Sequence, residues 1–264
     1  MCYLIKDLLL VIDSGNTNTV FAVFDSDTCI GEWRAATDVK RTADEHGVWL
    51  MQLLQSRSVA ISSLNQTIIS SVVPETLFSL KELCEKYFQS EPLIVGDEGV
   101  KIGIDVKVDD PRQVGADRLV NAVAAHQKYK GPLIIVDFGT ATTFDLIASS
   151  GSYLGGVIAP GINLSLEALD LAAAKLPRIN VKRPTSVIGR DTVTAMQSGV
   201  YWGYVGLIEG LIARISEEFG DKPKVIATGG LAPLFAKATN VIEAIDLDLT
   251  TRGLRYISFL NRGS

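Results

Sequence analysis

Residues Leu8–Asp25 read LLLVIDSGNTNTVFAVFD, and residues Leu133–Ile147 read LIIVDFGTATTFDLI. Each stretch is an apolar strand, an aspartate, a glycine turn rich in hydroxyl and amide side chains, and a second apolar strand. Aligning Asp13 with Asp137 also aligns Gly15 with Gly139 and Thr19 with Thr143, an offset of 124 positions in a chain of 264. A period near half the chain is too long for a solenoid and predicts two copies of one domain. Each copy then has about the size of an ordinary single core.

The remainder of each half supports that reading. In the first, a strand over 29–36 precedes a helix from Thr42 to Arg57, whose start carries a capping box in Thr42 and Glu45. A strand over 66–72, a helix opened by Pro74 and running to Phe88, and a short strand over 92–95 complete it. In the second, a hairpin strand over 152–158 precedes a helix over 162–175. A long helix from Asp191 to Phe219 follows, with Gly220 as its C-terminal cap. Strand 223–228, helix 231–238, strand 241–245 and a terminal helix close the chain. Strands first, then helices alternating with strands, give an α/β fold of mixed sheets flanked by helices, with a cleft between the halves. The boundary is expected at residue 110, giving halves 1–110 and 111–264, with 100–115 as a hinge.

Composition removes several classes of function. Twenty-five basic residues against 30 acidic ones leave a net charge of −5, so no basic footprint marks nucleic acid as a partner. The three cysteines, Cys2, Cys29 and Cys84, form neither a disulfide framework nor a CxxC zinc site. The two histidines, His46 and His126, lie on predicted helices without an HExxH pattern, where solvated or locally bonded roles are expected. The apolar run Leu8–Ile12 is too short for a signal-peptide core. No segment is long and apolar enough for a membrane span, and a cytoplasmic protein is expected.

The chemistry concentrates in the repeated turns. Asp13 ends a buried strand, where α/β proteins bind ligands. Gly15 lets the backbone approach a bound group, while Asn16, Thr17 and Thr19 add donors without negative charge, a combination suited to phosphate oxygens. Asp13 can hold magnesium directly or through water. A single such turn is more often a hairpin whose Asp and Asn satisfy their own backbone; two in one chain favour phosphate binding. No GxxxxGK[ST] and no strand-following GxGxxG is present. Thr228-Gly229-Gly230 follows a third apolar strand, and either packs against a flat base or caps that strand before a helix. In DDPRQVGADRLVN (109–121), Pro111 suits a first helical position capped by Asp110, with Gly115, Asp117 and Arg118 near a bend. Asp117 and Arg118 are either a solvated pair or the acid and guanidinium of a kinase acceptor site.

Six motifs stand in order: DSGNTNT at 13–19, GADR at 115–118, DFGTATT at 137–143, GGVIAPG at 155–161, IGRDT at 188–192 and TGG at 228–230. Together they resemble type III pantothenate kinase, of the acetate and sugar kinase/Hsp70/actin superfamily. The resemblance runs over nearly the whole chain. It implies duplicated ribonuclease-H-like (actin-like) domains, a homodimer, and ATP-dependent phosphorylation of the pantothenate 4′-hydroxyl, the first step towards coenzyme A. By motif, Asp13, Ser14, Gly15, Asn16, Thr17, Asn18, Thr19 and Val20 would form the first phosphate loop. Asp117 would be the general base, with Gly115, Ala116, Asp117 and Arg118 lining the pantothenate site. Asp137 would bind a monovalent cation, potassium or ammonium. Thr140 would contact ATP, Thr192 would touch pantothenate, and Gly229 and Gly230 would lie near adenosine. The sequence departs from the pattern at Val108, where many members carry a tyrosine of the pantothenate pocket. A kinase of the same superfamily with another acceptor, and a nucleotide-binding regulator without catalysis, are the rival readings. Finally, the long helix carries Gly199, Gly203, Gly206 and Gly210; four glycines predict close approach by another backbone, from a second copy or from the protein's own sheet.

Overall fold

A computed structural model of the chain describes residues 7–172, 177 and 179–262. It contains two five-stranded mixed sheets of identical topology. In the first, β1 (Leu8–Ser14), β2 (Asn18–Asp25) and β3 (Thr28–Ala36) form an antiparallel meander. β4 (Leu64–Ser71) and β5 (Leu93–Ile94) continue the sheet in parallel on the other side of β1, in the order β3-β2-β1-β4-β5. In the second, β6 (Leu133–Phe138), β7 (Ala141–Ile147) and β8 (Tyr153–Pro160) form the meander. There β9 (Lys224–Gly229) and β10 (Ala244–Ile245) are the parallel additions. The expected duplicated ribonuclease-H-like, actin-like α/β class is the class observed.

β1 is apolar at every position from Leu8 to Ile12 because both its faces are covered, and all five residues are buried. Leu8, Leu10 and Ile12 join a core with Leu50 and Leu54 of α1 (Ala43–Ser56) and Leu80, Leu83 and Phe88 of α2 (Pro74–Phe88). α7 (Leu249–Leu260) packs on β1 and β4. Gly253 of α7 meets α3 (Ala116–Tyr129) so closely that a Cβ there would lie 2.3 Å from the Val120 carbonyl oxygen. In the second sheet Ile134, Val136 and Phe138 form a core with Tyr201, Tyr204, Val205 and Ile208 of α5 (Thr192–Phe219). Phe235 of α6 (Ala232–Phe235) stacks on Phe138 at 5.5 Å.

The capping box of Thr42 and Glu45 is present, and α5 ends on Gly220 at φ 73°. Other expectations are met in part or change. Asp110 caps Pro111 as expected, accepting from the Arg112 N–H, but the helix so opened is a single 3-10 turn, Pro111–Gln113; Val114 is extended, and α3 starts only at Ala116. The helix expected over 231–238 is the four-residue α6, and the strand expected over 241–245 is the two-residue β10. α4 (Ile162–Ala172) covers the first part of the helix expected over 162–175; residues 173–175 lie outside the described ones. His46 is not solvated: it is 4 % exposed with its ring 5.6 Å from that of Phe21. Burial disfavours its cation and, helped by Arg41, lowers its pKa to about 4.

Two compact units interleave along the chain, where the sequence predicts one boundary at residue 110. One unit holds residues 1–103, 110–124 and 249–264; the other holds 104–109 and 125–248. The interleaving arises because α7 returns to the first sheet, while the extended segment before Asp110 pairs with the second through a Val106–Tyr153 bridge. Among the described residues no helix is long and apolar enough to cross a membrane.

Candidate active site

The first turn is braced from beneath. Asp13 is half-buried at the end of β1, opposite Val20 on β2 and Ser70 on β4. The Gly15 N–H donates to the Asn18 carbonyl at 3.0 Å, leaving Asn16, Thr17 and Asn18 exposed at the tip. Ser14 and Thr19 point inward instead. Ser14 Oγ lies 3.0 Å from Thr76 Oγ1 and 3.3 Å from Thr19 Oγ1, and Thr19 Oγ1 lies 3.0 Å from Thr37 Oγ1. Thr37 Oγ1 then donates to the Gly15 carbonyl at 2.7 Å. These hydroxyls fix the turn's shape, so Ser14 and Thr19 face a ligand only with their backbone. Thr37 and Thr76 have no sequence signal of their own; a threonine after a strand or in a first helical turn is too common to stand out.

GADR lies beside this turn in the same unit. The Gly115 carbonyl accepts from the Arg118 and Leu119 N–H groups at 3.1 and 3.3 Å, which starts α3. Asp117 Oδ1 folds back to accept from the Arg118 N–H at 2.8 Å. A Cβ on Gly115 would lie 2.6 Å from that oxygen and 3.7 Å from Val72 Cγ1. Val72 in turn donates its N–H to the Ser14 carbonyl at 3.1 Å. Val72 therefore lies next to both Gly115 and the first turn.

The second turn is built differently. Asp137 is half-buried on β6, with Thr143 of β7 on one side and Thr228 of β9 on the other. Its hairpin is closed by Gly139 N–H donating to the Ala141 carbonyl, so it is one residue tighter than the first. Asp13 faces Val20, whereas Asp137 faces Thr143. The counterpart of Thr19 is consequently Thr142, buried like it, rather than the sequence-aligned Thr143. Gly229, at φ 87°, lets its backbone pass close to Asp137: a Cβ there would lie 2.7 Å from Asp137 Oδ1 and 2.7 Å from the Phe138 carbonyl oxygen, so a side chain would collide with both. A carboxylate and a carbonyl oxygen brought this close together are donors of the kind a hard monovalent cation takes. Thr140 is exposed at the tip, its carbonyl accepting from Gly161 N–H at 3.1 Å, and Gly230 has no atom within 4 Å of its Cβ position.

Thr192 opens α5 and is exposed, beneath an N-cap in which Asp191 accepts from the Thr194 N–H at 2.9 Å. Val108 is half-buried, its Cγ1 3.8 Å from the Cβ position of Gly155. Among the described residues no cluster of three or more His, Cys, Asp or Glu side chains forms a ready-made metal cage. The candidates thus gather as Asp13–Val20 with Gly115–Arg118 in one unit, and Asp137, Thr140, Gly229 and Gly230 in the other, where Thr192 also lies.

The sequence model of the family described as Type III pantothenate kinase matches residues 9–214. Over 247 residues the chain is 66% identical to a type III pantothenate kinase of Paramagnetospirillum magneticum, covering 94% of this chain and 95% of the relative. A type III pantothenate kinase of Rhodospirillum rubrum is 61% identical over 255 residues, covering 97% and 99%. A solved Campylobacter jejuni structure of a Baf family protein superposes with a TM-score of 0.60 at 19% identity, covering 97% of this chain and all of that one; that likeness concerns the fold.

Proposed function

The chain belongs to the type III pantothenate kinase family and phosphorylates pantothenate using ATP; we propose that Asp117, the two aspartate–glycine turns and the TGG segment divide that reaction among them. The observation that carries the activity is 66% identity to a pantothenate kinase over almost the full length of both chains.

Phosphoryl transfer depends mostly on positioning and charge neutralisation. Asp117 takes the proton of the 4′-hydroxyl as that oxygen attacks the γ-phosphorus in line, and the bond to the bridging oxygen breaks to release ADP. Its fold-back onto the Arg118 N–H holds the carboxylate in one orientation. Arg118 balances anionic charge in the acceptor pocket, with Gly115 and Ala116 as its wall and Thr192 as a further pantothenate contact. The exposed residues from Asn16 to Asn18 and the backbone of Asp13–Val20 hold ATP phosphates, Thr140 a further part of ATP, and Gly229 and Gly230 the adenosine. When bound, magnesium at Asp13 and potassium or ammonium at Asp137 offset phosphate charge.

The exposed face of α5 supports a homodimer. Among the described residues, Gly199, Gly203 and Gly206 have no atom within 4 Å of their Cβ positions, so no described backbone accounts for them. ATP and potassium are abundant in the cytoplasm, where we place the enzyme.

The test is ADP release from ATP with magnesium and potassium, with and without pantothenate, and with glucose and acetate as control acceptors. Release that requires pantothenate and falls when sodium replaces potassium is expected. Release driven by another acceptor would overturn the substrate. ATP binding with no release for any acceptor would leave a nucleotide-binding regulator. Equal rates in sodium and potassium would remove the role given to Asp137.

A further inference from the structure

Behind the second turn lies a buried acid that the mechanism does not use. Asp145 of β7 is completely buried, between Ile135 of β6 and Gly156 of β8. One of its oxygens accepts from the Tyr153 hydroxyl at 2.8 Å, the other from Thr143 Oγ1 at 3.1 Å. Thr143 is the residue directly across the ladder from Asp137, and directly opposed residues project from the same face with Cβ atoms about 5 Å apart.

Duplication supplies a control for what this position needs. With the hairpins matched by their ladders, Thr143 corresponds to Val20 and Asp145 to Ala22, while Phe144 and Phe21 match as buried core residues. The same place in the same fold is therefore built from apolar residues in the first copy. Burying a carboxylate is expensive unless it is well bonded, so packing alone does not call for Asp145. The polar pair occurs only behind Asp137.

We propose that Asp145 is a positioning residue for the monovalent-cation site, acting through Thr143. A threonine hydroxyl has one proton and two lone pairs. Because Thr143 gives that proton to Asp145, it presents only lone pairs towards Asp137. Its oxygen is then a neutral acceptor on the same face as the Asp137 carboxylate, and it does not occupy that carboxylate by donating to it. Tyr153 donates to the other oxygen of Asp145, which helps satisfy the buried acid without touching Thr143. With asparagine at 145, the side-chain NH2 replaces one acceptor. The Thr143 proton can then swing to Asp137 and compete with the cation.

The inference rests on the cation role of Asp137, and the test separates the two. Thermal unfolding of the full chain is followed with magnesium and ATP present and pantothenate omitted, while potassium replaces sodium at constant ionic strength. A ligand that binds the folded state raises the midpoint, so the titration gives a half-saturating potassium concentration without any turnover. Loss of an outer-shell partner typically weakens metal binding by about 10–100-fold. Asp145→Asn is therefore expected to raise half-saturation about tenfold, and Thr143→Val to do the same. Thr143→Ser should restore it, and Tyr153→Phe should lower the unfolding temperature with parent-like half-saturation. The double variant Asp145→Asn/Thr143→Val should be no worse than either single one. Parent-like potassium response in Asp145→Asn, or additive losses in the double variant, would reduce Asp145 to a structural role and overturn the inference. If Asp145→Asn does not fold, the decision falls to Thr143: equal potassium responses of Thr143→Val and Thr143→Ser would overturn it. A parent protein indifferent to potassium would instead remove the cation site on which the inference stands.

Discussion

Gly115→Ala tests the acceptor site by moving Asp117 without changing it. The added methyl would lie 2.6 Å from Asp117 Oδ1, well inside ordinary contact, whereas its distance to Val72 Cγ1, 3.7 Å, is normal. The crowded atom is the far end of a short flexible side chain, so the carboxylate yields and the backbone stays. Relief requires a shift of roughly 1 Å, and a misplacement of that size in a reacting group costs on the order of 10²-fold in rate. Removing the base with Asp117→Asn should cost about 10²–10⁴-fold. Gly115→Ala should therefore lower kcat about 100-fold, and adding it to Asp117→Asn should lower kcat little further. Stability should barely change, since alanine for glycine just before a helix costs well under about 1 kcal/mol beyond propensity gains, or a few degrees in Tm. The assay is pantothenate-dependent ADP release with kcat and KM determined separately, beside a melting curve and ATP affinity. Near-parent kcat in Gly115→Ala would show that the folded-back orientation of Asp117 has no part in catalysis. A large loss of Tm would show that the backbone, not the carboxylate, absorbed the methyl.

Gly229→Ala should behave oppositely: its methyl meets the Phe138 carbonyl as well as Asp137 Oδ1, at φ 87°, so a loss of about 1–3 kcal/mol in stability should accompany a lost potassium response, read by denaturant unfolding with and without potassium. His46 should make the fold acid-sensitive. Its pKa is about 4 when folded and about 6.5 when unfolded, so the stability its neutral form confers is complete above pH 6.5 and is lost as pH falls towards 4. The difference in unfolding free energy between the parent and His46→Leu should change by about 3 kcal/mol from pH 7 to pH 4, and a pH-independent difference would contradict the buried neutral imidazole. Gly203→Ala should stabilise an isolated helix by about 1 kcal/mol, while Gly203→Leu should convert a dimer to monomers in sedimentation without unfolding it. Monomeric sedimentation of the parent at micromolar concentration would remove the dimer.

What was legible in the sequence followed from strong local signals. The two apolar runs ending in aspartate, the Thr42–Glu45 capping box, Pro74 at a helix start and Gly220 at a helix end each mark one element, and those elements form. After Asp110 the legible cap and first-position proline both form, but a cap and a proline suit a single 3-10 turn as well as a long helix, and only the extended Val114 separates the two. The burial of His46 is not legible, because neither the polarity nor the spacing of a lone histidine reveals that Phe21, from β2, will cover it. In the site, chemistry-bearing residues announced themselves by motif, but the residues that hold them did not. Thr37, Thr76 and Val72 reach the first turn from β3, α2 and the end of β4, and such long-range partners leave no pattern along the chain.

Sequence alignment of the repeats also hid where they diverge. Matching Thr19 with Thr143 makes the two hairpins appear equivalent, yet the ladder pairs Asp13 with an apolar side chain and Asp137 with a hydroxyl. A one-residue difference in a tight turn flips which side chain stands opposite the aspartate, because side chains alternate faces along a strand. In the first copy the hydroxyls lie beneath the turn and stiffen it, which suits a loop whose exposed amides and backbone take the load of binding phosphate. In the second, Thr143 stands opposite the acid and the Gly229 backbone passes close to it. The two hairpins thus keep the same sheet order while their registers set different side chains opposite the aspartate, which is the difference that the proposed phosphate and cation roles would need.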